Sequence, residues 1–535
     1  MRVVVDLTRC EGYGQCAFLA PDVFAMRRSE ALMYELHPHD SERTRVLRAA
    51  AACPVQALVV DQVHTLGRPA KAAPPKPVNG RRPVQVGRVV IVGASLAGLR
   101  AAATLRREGY AGSLTLISAE PYEPYDRPPL SKQVLTGQVA ADDTALPRRA
   151  EFEAEWLLGQ AATGLDLAAR QVRLADGRKV DFDRLLIATG ARARPWPNAQ
   201  EAALDGVFVL RTNEDAARLR ERLTAGPRRV LIIGAGFTGS EIASVCRELG
   251  LDVTVTERGK APLAGALGGT IGAIAADLQR DHGVDLRCGV TVEALEGDGE
   301  GRLRRARLSD GITLDVDVAV AALGAERNVE WLEGSGLAAG VWGVACDAGC
   351  RAFDVNALVT DNVFVAGDVA RFPHPVYEYQ FLSLEHWGNA VTQAQVAAHN
   401  MISAESDRWP HVSLPVFWSA QFGVNIKSVG VPTFADEVVI AQGSVAERRF
   451  VAVYGNRGRI TAAVAFDQAM WLDFYQAQIE RAAPFPPGPG MVGRPDGLQV
   501  MPADVPQRVS PAYGATVVLT GHNPDERRVT LQRRH

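Results

Sequence analysis

Three cysteines near the start of the chain have the residue type and arrangement of a metal site. Cys10 and Cys16 enclose the sequence CEGYGQC, and Cys53 is followed directly by Pro54. Soft thiolate ligands select iron–sulfur clusters or zinc. A zinc site would need a fourth ligand, for which the histidines near the three cysteines are His37, His39 and His64. Three unrelated buried cysteines are a further alternative.

A glycine-rich turn within residues 88–103 has the composition of a dinucleotide cradle. The apolar run Val89–Val92 predicts a buried strand, and the turn from Gly93 to Gly98 leads into a helix with apolar periodicity. Such a turn directs backbone N–H groups and the positive end of a helix dipole at one point, which suits a pyrophosphate. Ser95 stands at the second glycine position, so a plain strand–turn–helix is an alternative.

A second turn, GAGFTG, carries glycine at all three positions of the same fingerprint: Gly234, Gly236 and Gly239. Glu257 ends the next predicted strand, VTVTE. A carboxylate there accepts hydrogen bonds from both ribose hydroxyls and repels a 2′-phosphate, which favours NADH over NADPH. Arg258 beside it keeps NADPH as the less favoured alternative, because a guanidinium can bind a 2′-phosphate.

The length and composition of the chain limit the classes of protein to which these sites can belong. The chain has 535 residues, enough for about three or four domains. Its formal net charge of −3 gives no basic footprint, so we expect no nucleic-acid partner. It contains no apolar run near the roughly 20 residues of a bilayer span, and its start lacks a signal-peptide pattern. We therefore expect a cytoplasmic protein without a membrane partner, whose seven cysteines serve no disulfide framework.

The segment YDRPPLSK, which contains Arg127 and Lys132, resembles the FAD-dependent NAD(P)H:ferredoxin reductases, flavoproteins with two dinucleotide-binding domains. The segment NVFVAGD, ending at Gly367 and Asp368, also matches that family. There the aspartate binds the ribityl and phosphate region of FAD. Because this Gly-Asp follows the second fingerprint, the resemblance implies an NAD domain inserted within the FAD domain.

The resemblance and the two turns together give a predicted set of cofactor residues. For FAD the set is Gly93, Ser95, Ala97, Gly98, Glu120, Arg127, Lys132, Ala162, Thr189, Gly190, Arg211, Gly367, Asp368 and Trp387. For NAD it is Gly234, Gly236, Phe237, Thr238, Gly239, Glu241, Glu257 and Gly324. Two members have structural alternatives: Trp387 as a core residue, and Glu241 as an acid that matches the helix dipole.

The N-terminal segment resembles small bacterial ferredoxins that hold one 3Fe-4S cluster with three cysteines. Tyr13 occupies the position of the middle cysteine of the usual motif. The resemblance implies Cys10, Cys16 and Cys53 as the ligands, with 3Fe-4S favoured over 4Fe-4S because an external ligand would be needed to complete the larger cluster.

The predicted fold class is α/β: two Rossmann-like dinucleotide-binding domains and a small α+β C-terminal domain, preceded by a small α+β ferredoxin domain. The predicted boundaries are 1–66 for the ferredoxin domain, 67–86 for a proline-rich linker, 87–202 and 329–408 for the two parts of the FAD domain, 203–328 for the NAD domain, 409–486 for the C-terminal domain and 487–535 for an extension. The extension ends in two alternating apolar runs that predict a hairpin. We expect it to be a packed extension, with an interface or a lid as alternatives.

The expected function is electron transfer from NADH through FAD to the iron–sulfur cluster and then to an external protein. The resemblance favours a cytochrome P-450 monooxygenase as that acceptor. A Rieske-type dioxygenase is the alternative, and an NADH-responsive redox sensor is an alternative of another class. No C-x-x-C pair adjoins either nucleotide motif, and Cys246, Cys346 and Cys350 are expected to be inert. The cofactors therefore carry the chemistry, and the protein orients them.

Overall fold

A computed structural model gives the fold of most of the chain. It describes residues 3–5, 16–17, 20–27, 31–34, 38–52, 58–60, 86–146, 153–488, 493, 498–506, 514–520 and 528–534. Cys10, Cys53, Tyr13 and residues 67–85 of the predicted linker lie outside the described residues.

The first glycine turn belongs to a six-stranded sheet. In sheet order its strands are Arg351–Phe353, Val359–Val365, Arg184–Ile187, Arg88–Val92, Ser113–Ile117 and Glu155–Leu157. The first of these is antiparallel to its neighbour, and the other five run parallel. Val89 and Ile91 face the packed helices Leu96–Arg107 and Trp387–Ile402, while Val90 and Val92 face a core on the other side. Burial on both faces explains the continuous apolar run.

The second dinucleotide unit interrupts this sheet in sequence. Its own sheet is parallel and has the strand order Val207–Phe208, Val318–Ala321, Arg229–Ile233, Asp252–Glu257 and Asp285–Cys288. Its longer helices are Asn213–Thr224, Phe237–Glu248 and Gly269–Asp281. The chain enters and leaves the unit through two paired antiparallel strands, Ala191–Ala193 and Ala325–Arg327. The predicted insertion of one dinucleotide unit within the other is therefore confirmed.

Smaller elements complete the fold. Two antiparallel sheets consist of Ala162–Asp166 with Gln171–Leu174 and Lys179–Asp181, and of Val292–Gly297 with Leu303–Leu308 and Thr313–Asp315. A four-stranded mixed sheet, in which one pairing is parallel, consists of Ala339–Gly340, Gly343–Ala345, Ala370–Pro373 and Phe381–Leu382. The short α-helices are Gln133–Thr136, Ala199–Ala202 and Ala264–Leu267. The 3-10 helices are Asp40–Glu42, Pro128–Ser131, Ala141–Thr144, Glu330–Leu332, Pro375–Tyr377, Glu405–Asp407, Pro432–Phe434 and Ala469–Trp471.

The C-terminal domain is an antiparallel sheet with one helix, Leu472–Glu480. The strand order is Val416–Gln421, Val424–Gly430, Arg459–Phe466, Arg449–Asn456, Glu437–Ser444 and Met501–Pro502. Alternate residues of its central strands belong to two different cores: Val451 and Val453 pack with the first dinucleotide unit, whereas Phe450 and Tyr454 pack with the second. The sheet is therefore a buried layer that joins the two units.

The N-terminal part forms a small unit with its own core, which includes Val3, Phe24 and Val46. Strand Val3–Val5 pairs with Leu58–Val60, and Phe24–Arg27 pairs with Ala31–Tyr34, both antiparallel. The helix Arg43–Ala52 of this unit contacts the strand Val424–Gly430 of the C-terminal sheet. The described residues include no helix that is both long and apolar enough to cross a bilayer.

Residues 498–506, which we call the C-terminal strap, join the second dinucleotide unit to the C-terminal sheet. The N–H of Gly269 donates to the carbonyl of Asp504 at 2.7 Å, and the Thr270 hydroxyl donates to the carbonyl of Pro502 at 2.6 Å. On the other side, the N–H of Ala503 donates to the carbonyl of Asp436 at 2.9 Å. Ala503 is fully buried, so the strap is a packed part of the fold.

The predicted C-terminal pair of strands is confirmed as Gly514–Thr520, antiparallel to Arg528–Arg534.

The strap predicts a steric effect at Gly268. This residue has φ of +78°, and a Cβ there would lie 2.2 Å from the carbonyl oxygen of Ala503. We expect Gly268→Ala to destabilise the protein by about 1–3 kcal/mol, since both the backbone and the strap must shift. Circular dichroism during heating would show this as a lower Tm. Gly265→Ala is the matched control because its Cβ would meet no heavy atom within 4 Å; equal Tm values for the two variants would contradict the strap contact.

Candidate cofactor site

Two glycines shape the turn after the strand Arg88–Val92. Gly93 has φ of +107°, and a Cβ there would lie 2.1 Å from the carbonyl oxygen of Ala188. A Cβ at Gly98 would lie 1.9 Å from the carbonyl oxygen of Gly93, so no side chain fits where the helix crosses the turn. Ser95 is the N-cap residue of that helix and makes no side-chain capping bond. Serine at the second glycine position is therefore compatible with the cradle.

The turn lies in the wall of a cavity of about 720 Å³, within the usual range for a cofactor site. Every predicted flavin residue except Gly98 lines this cavity: Gly93, Ser95, Ala97, Glu120, Arg127, Lys132, Ala162, Thr189, Gly190, Arg211, Gly367, Asp368 and Trp387. Gly98 acts behind the wall by allowing the helix to approach the turn. A helix N-terminus, arginines and carboxylates in one cavity fit the phosphates and ribose hydroxyls of FAD.

The carboxylate of Glu120 is held by two neighbouring side chains. Arg127 donates to it at 2.5 Å, and the hydroxyl of Tyr125 donates to its other oxygen. Arg127 also donates to the carbonyl of Arg211 at 2.7 Å. Burial raises the pKa of the Tyr125 phenol, so this hydroxyl keeps its proton and stays a donor. Glu120 is thus held in place in the cavity wall.

Asp368 lines the same cavity, although it follows the inserted unit in sequence. It follows Gly367, which has φ of +82° and whose Cβ would lie 3.1 Å from Cβ of Ala97. The guanidinium of Arg211 donates to the Asp368 carboxylate at 2.7 Å. The N–H of Gly367 donates to the side chain of Gln393 at 3.0 Å. The Gly-Asp turn therefore sits against the first glycine-turn helix.

Trp387 lines the cavity and is also anchored by a polar contact. Its indole N–H donates to Asp126 at 2.8 Å, and its ring lies 6.0 Å from that of Trp418, centroid to centroid. His386 precedes it as the N-cap residue of the helix Trp387–Ile402. Burial lowers the pKa of His386 to about 4, so the imidazole is neutral at pH 7. The contacts favour a wall position over the core alternative for Trp387.

An ion pair joins the two dinucleotide units inside the cavity. The ammonium of Lys132 lies 2.7 Å from the carboxylate of Glu241, and the hydroxyls of Ser131 and Ser419 donate to the same carboxylate at 2.5 and 2.6 Å. Glu241 belongs to the predicted set of NAD residues. The structure places its carboxylate against Lys132 in the wall of the flavin cavity, beside Thr238.

The second glycine turn repeats the first. Gly234 has φ of +103° with a Cβ position 2.5 Å from the carbonyl oxygen of Ala322, and a Cβ at Gly239 would lie 2.0 Å from the carbonyl oxygen of Gly234. Gly236 differs, since its Cβ would meet no heavy atom within 4 Å. The carboxylate of Glu257 accepts from the N–H groups of Ala235 at 2.9 Å and Gly259 at 2.7 Å.

The remaining NAD residues lie around this turn. Phe237 begins the helix Phe237–Glu248 and packs against Phe417 at 4.7 Å between ring centroids. Gly324 follows the strand Val318–Ala321 with φ of +86° and open space at its Cβ position. Gly324, Gly236 and Glu257 therefore lie at the carboxyl ends of parallel strands, where open α/β sheets bind nucleotides.

The cluster ligands are only partly described. Cys16 is half-buried against the N-terminal core. Cys10 and Cys53 lie outside the described residues. The ligand assignment therefore rests on the sequence.

Comparison with protein families covers nearly the whole described chain. Residues 87–394 match the family described as "Pyridine nucleotide-disulphide oxidoreductase", residues 416–489 match "Reductase C-terminal", and residues 5–60 match "4Fe-4S single cluster domain of Ferredoxin I". The chain belongs to the pyridine nucleotide-disulphide oxidoreductase family. Its activity is that of an FAD-dependent ferredoxin reductase with a ferredoxin domain at the N-terminus.

Similar proteins confirm this assignment. The probable ferredoxin reductase CtmF of Castellaniella defragrans is 35% identical over 71% of this chain and 90% of its own length. The ferredoxin–NAD(+) reductase component of the p-cumate 2,3-dioxygenase system of Pseudomonas putida is 34% identical over 64% of this chain and 81% of its own. The crystal structure of the ferredoxin reductase for the CYP199A2 system from Rhodopseudomonas palustris has a TM-score of 0.67 and 31% identity, covering 74% of this chain and 97% of that one.

No cysteine of the described chain lines the cavity. Cys246, Cys346 and Cys350 are buried, and burial raises the pKa of each thiol, for Cys246 to about 12. Thiols that stay protonated are poor nucleophiles, which agrees with the expectation that they are inert.

Sequence reasoning missed several residues of the reductase site. Asp126 and Ser131 stand inside YDRPPLSK, so that motif contained their signal. Phe417, Trp418 and Ser419 come from a strand of the C-terminal domain, and nothing local marks them as site residues. Only the tertiary fold brings Phe417 and Trp418 into the cavity wall and Ser419 to Glu241.

The close approach at Gly98 predicts the effect of one methyl group. Gly98→Ala must push the helix Leu96–Arg107 away from the turn, because the new Cβ would overlap the Gly93 carbonyl. We expect FAD affinity to fall by at least about tenfold, measured from flavin absorbance per chain and by titration of the apoprotein. Gly340→Ala is the matched control, since its Cβ would meet no heavy atom within 4 Å. Full FAD occupancy in Gly98→Ala would refute the cradle.

Proposed function

We propose that the chain is a self-contained relay that moves electrons from NADH to FAD, from FAD to the iron–sulfur cluster of its own N-terminal domain, and from there to an external acceptor protein. One observation carries this proposal. The helix Arg43–Ala52 of the N-terminal unit contacts the strand Val424–Gly430, and the neighbouring strand Val416–Gln421 carries Phe417 and Trp418 into the cavity wall.

The arrangement brings the ferredoxin domain close to the flavin cavity. Trp418 pairs in register with Lys427 of the strand that meets the N-terminal helix. The strand that the N-terminal helix contacts is therefore the direct neighbour of the strand in the cavity wall. Covalent tethering raises the effective concentration of one domain around the other to about the millimolar range, so transfer inside the chain does not wait for a diffusional encounter.

When bound, FAD supplies the conversion of a two-electron hydride into single electrons, and the iron–sulfur cluster supplies a one-electron carrier. The chain contributes position and charge. Glu120, Arg127, Arg211 and Asp368 form two fixed ion pairs for the ribose and phosphate end of FAD. Lys132 brings a compensated positive charge to the same cavity.

The nicotinamide cofactor is proposed to be NADH. Glu257 is held by two backbone N–H groups at the end of its strand. A carboxylate fixed at this place in a dinucleotide fold accepts the ribose hydroxyls and repels a 2′-phosphate. Arg258, whose guanidinium is the reason that NADPH is an alternative, is exposed to solvent. The fixed anion therefore favours a free 2′-hydroxyl.

Glu257→Gln tests this preference. The amide removes the negative charge while its oxygen can still accept a backbone hydrogen bond. We expect the ratio of kcat/KM for NADH to that for NADPH to fall about tenfold or more, measured by steady-state ferricyanide reduction. Glu248→Gln, on the exposed end of the adjacent helix, should leave the ratio unchanged. An unaltered ratio in Glu257→Gln would contradict the role of the carboxylate.

We propose a 3Fe-4S cluster with Cys10, Cys16 and Cys53 as ligands. Three cysteines with Tyr13 in the variable position support this, while the matching family is described as a 4Fe-4S domain. For the external acceptor we propose a cytochrome P-450, supported by the solved reductase of the CYP199A2 system. The similarity to a dioxygenase-system reductase makes a Rieske-type dioxygenase the second candidate.

Cys16→Ser separates the relay from the sensor alternative. We expect NADH-driven reduction of cytochrome c to fall by more than about tenfold, because single electrons leave from the cluster, while reduction of ferricyanide by the flavin persists. Cys288→Ser, which alters a half-buried thiol of the NAD unit, is the control. Iron and acid-labile sulfide analysis on the same preparations confirms that only Cys16→Ser has lost the cluster. Cytochrome c turnover that survives this loss would contradict the relay.

A further inference from the structure

The carboxylate of Glu241 is a buried charge whose partners come from two other parts of the chain, the first dinucleotide unit and the C-terminal domain. Glu241 is only 6% exposed. Ser131 and Lys132 of the first dinucleotide unit both approach one of its oxygens, Oε2, at 2.5 and 2.7 Å. Burial removes a carboxylate from water, so its other oxygen also needs a donor if the charge is to persist.

The C-terminal domain supplies that donor. The hydroxyl of Ser419 donates to Oε1 of Glu241 at 2.6 Å, and Ser419 is 1% exposed. The side-chain amide of Gln421 in turn donates to the Ser419 oxygen at 3.1 Å. This second bond orients the hydroxyl, because an oxygen that accepts from Gln421 directs its own hydrogen toward the carboxylate.

The strand end is fastened to the same helix at a second point. The N–H of Phe422 donates to the hydroxyl of Ser244 at 2.7 Å, one helical turn beyond Glu241. Phe417, two residues before Ser419, packs against Phe237 at the start of that helix. Ser419 therefore cannot move away from Glu241 unless these contacts break as well.

We propose that Ser419 is a positioning residue of the reductase: it holds the Glu241 carboxylate in the orientation that pairs with the Lys132 ammonium in the flavin cavity. Among the described residues Ser419 is the donor that reaches Oε1. The charge pair in the flavin cavity is thus completed by the C-terminal domain. This inference rests on FAD occupying the cavity, but it is independent of the cluster and of the acceptor.

Removal of the hydroxyl has a defined electrostatic consequence. In Ser419→Ala the buried Oε1 loses its donor, so the carboxylate is no longer held in its orientation toward the Lys132 ammonium. The positive charge of Lys132 is then less compensated, and a positive charge near the flavin stabilises its reduced form.

The test is the midpoint potential of the bound flavin, measured at one pH by anaerobic redox titration. We expect the potential of Ser419→Ala to rise, with the ratio of reduced to oxidised flavin at a fixed NADH/NAD⁺ ratio increasing about tenfold, or about 30 mV for a two-electron couple. Ser419→Thr keeps a hydroxyl at this position and should restore the original potential. A residue with a purely structural role would lower Tm without moving the potential.

Ser428→Ala is the matched control. It deletes another buried serine hydroxyl from the neighbouring strand, one for which the described residues provide no hydrogen-bond partner. Its flavin potential should equal that of the unaltered protein. A Ser419→Ala potential that also equals it, or an equal shift in Ser428→Ala, would overturn the proposal.

If Ser419→Ala fails to retain FAD, Gln421→Ala is the second test variant. It removes the bond that orients the Ser419 hydroxyl. We expect it to shift the flavin potential in the same direction by a smaller amount. An unchanged potential in Gln421→Ala would then overturn the proposal. Failure of the relay would appear instead as a cluster that stays oxidised in the unaltered protein, which leaves the flavin potentials of these variants measurable.

Discussion

The buried carboxylate of Glu241 is the constraint around which the reductase site is assembled. A charge removed from water must be paired, and here the partners are Lys132 and Ser131 from one dinucleotide unit and Ser419 from the C-terminal domain. The donor atoms of these partners lie 2.5 to 2.7 Å from the carboxylate oxygens. The FAD unit, the NAD unit that carries Glu241 and the C-terminal domain must therefore pack together closely for the charge to be paired. The need to pair the Glu241 carboxylate thus constrains how the domains pack against one another.

The C-terminal sheet is the element that makes this arrangement possible. One face of the sheet packs with the FAD unit and the other with the NAD unit, so both faces are buried. Its outer strand Val416–Gln421 enters the cavity wall, and the next strand, Val424–Gly430, meets the N-terminal helix Arg43–Ala52. The C-terminal strap adds a further tie at the opposite edge of the sheet. A domain of no evident chemistry therefore connects every unit that takes part in electron transfer.

The parts of the site that sequence could predict are those set by local backbone geometry. Gly93 and Gly98 predict a tight strand–turn–helix. In the structure a Cβ at either position would overlap a backbone carbonyl oxygen, so no side chain fits there. Ser419 carries no such signal, since a serine in a strand is ordinary until the fold brings it to Glu241. Glu241 itself was placed in the NAD set because it follows the second glycine turn; the direction of its side chain depends on Lys132, more than a hundred residues earlier.

The most direct measurement is the rate of cluster reduction after anaerobic mixing with excess NADH, followed as a function of protein concentration. If the ferredoxin domain is reduced by the flavin of its own chain, the observed rate constant is independent of protein concentration. A rate constant that rises in proportion to protein concentration would show that electrons pass between separate molecules, and it would contradict an internal relay through the C-terminal sheet.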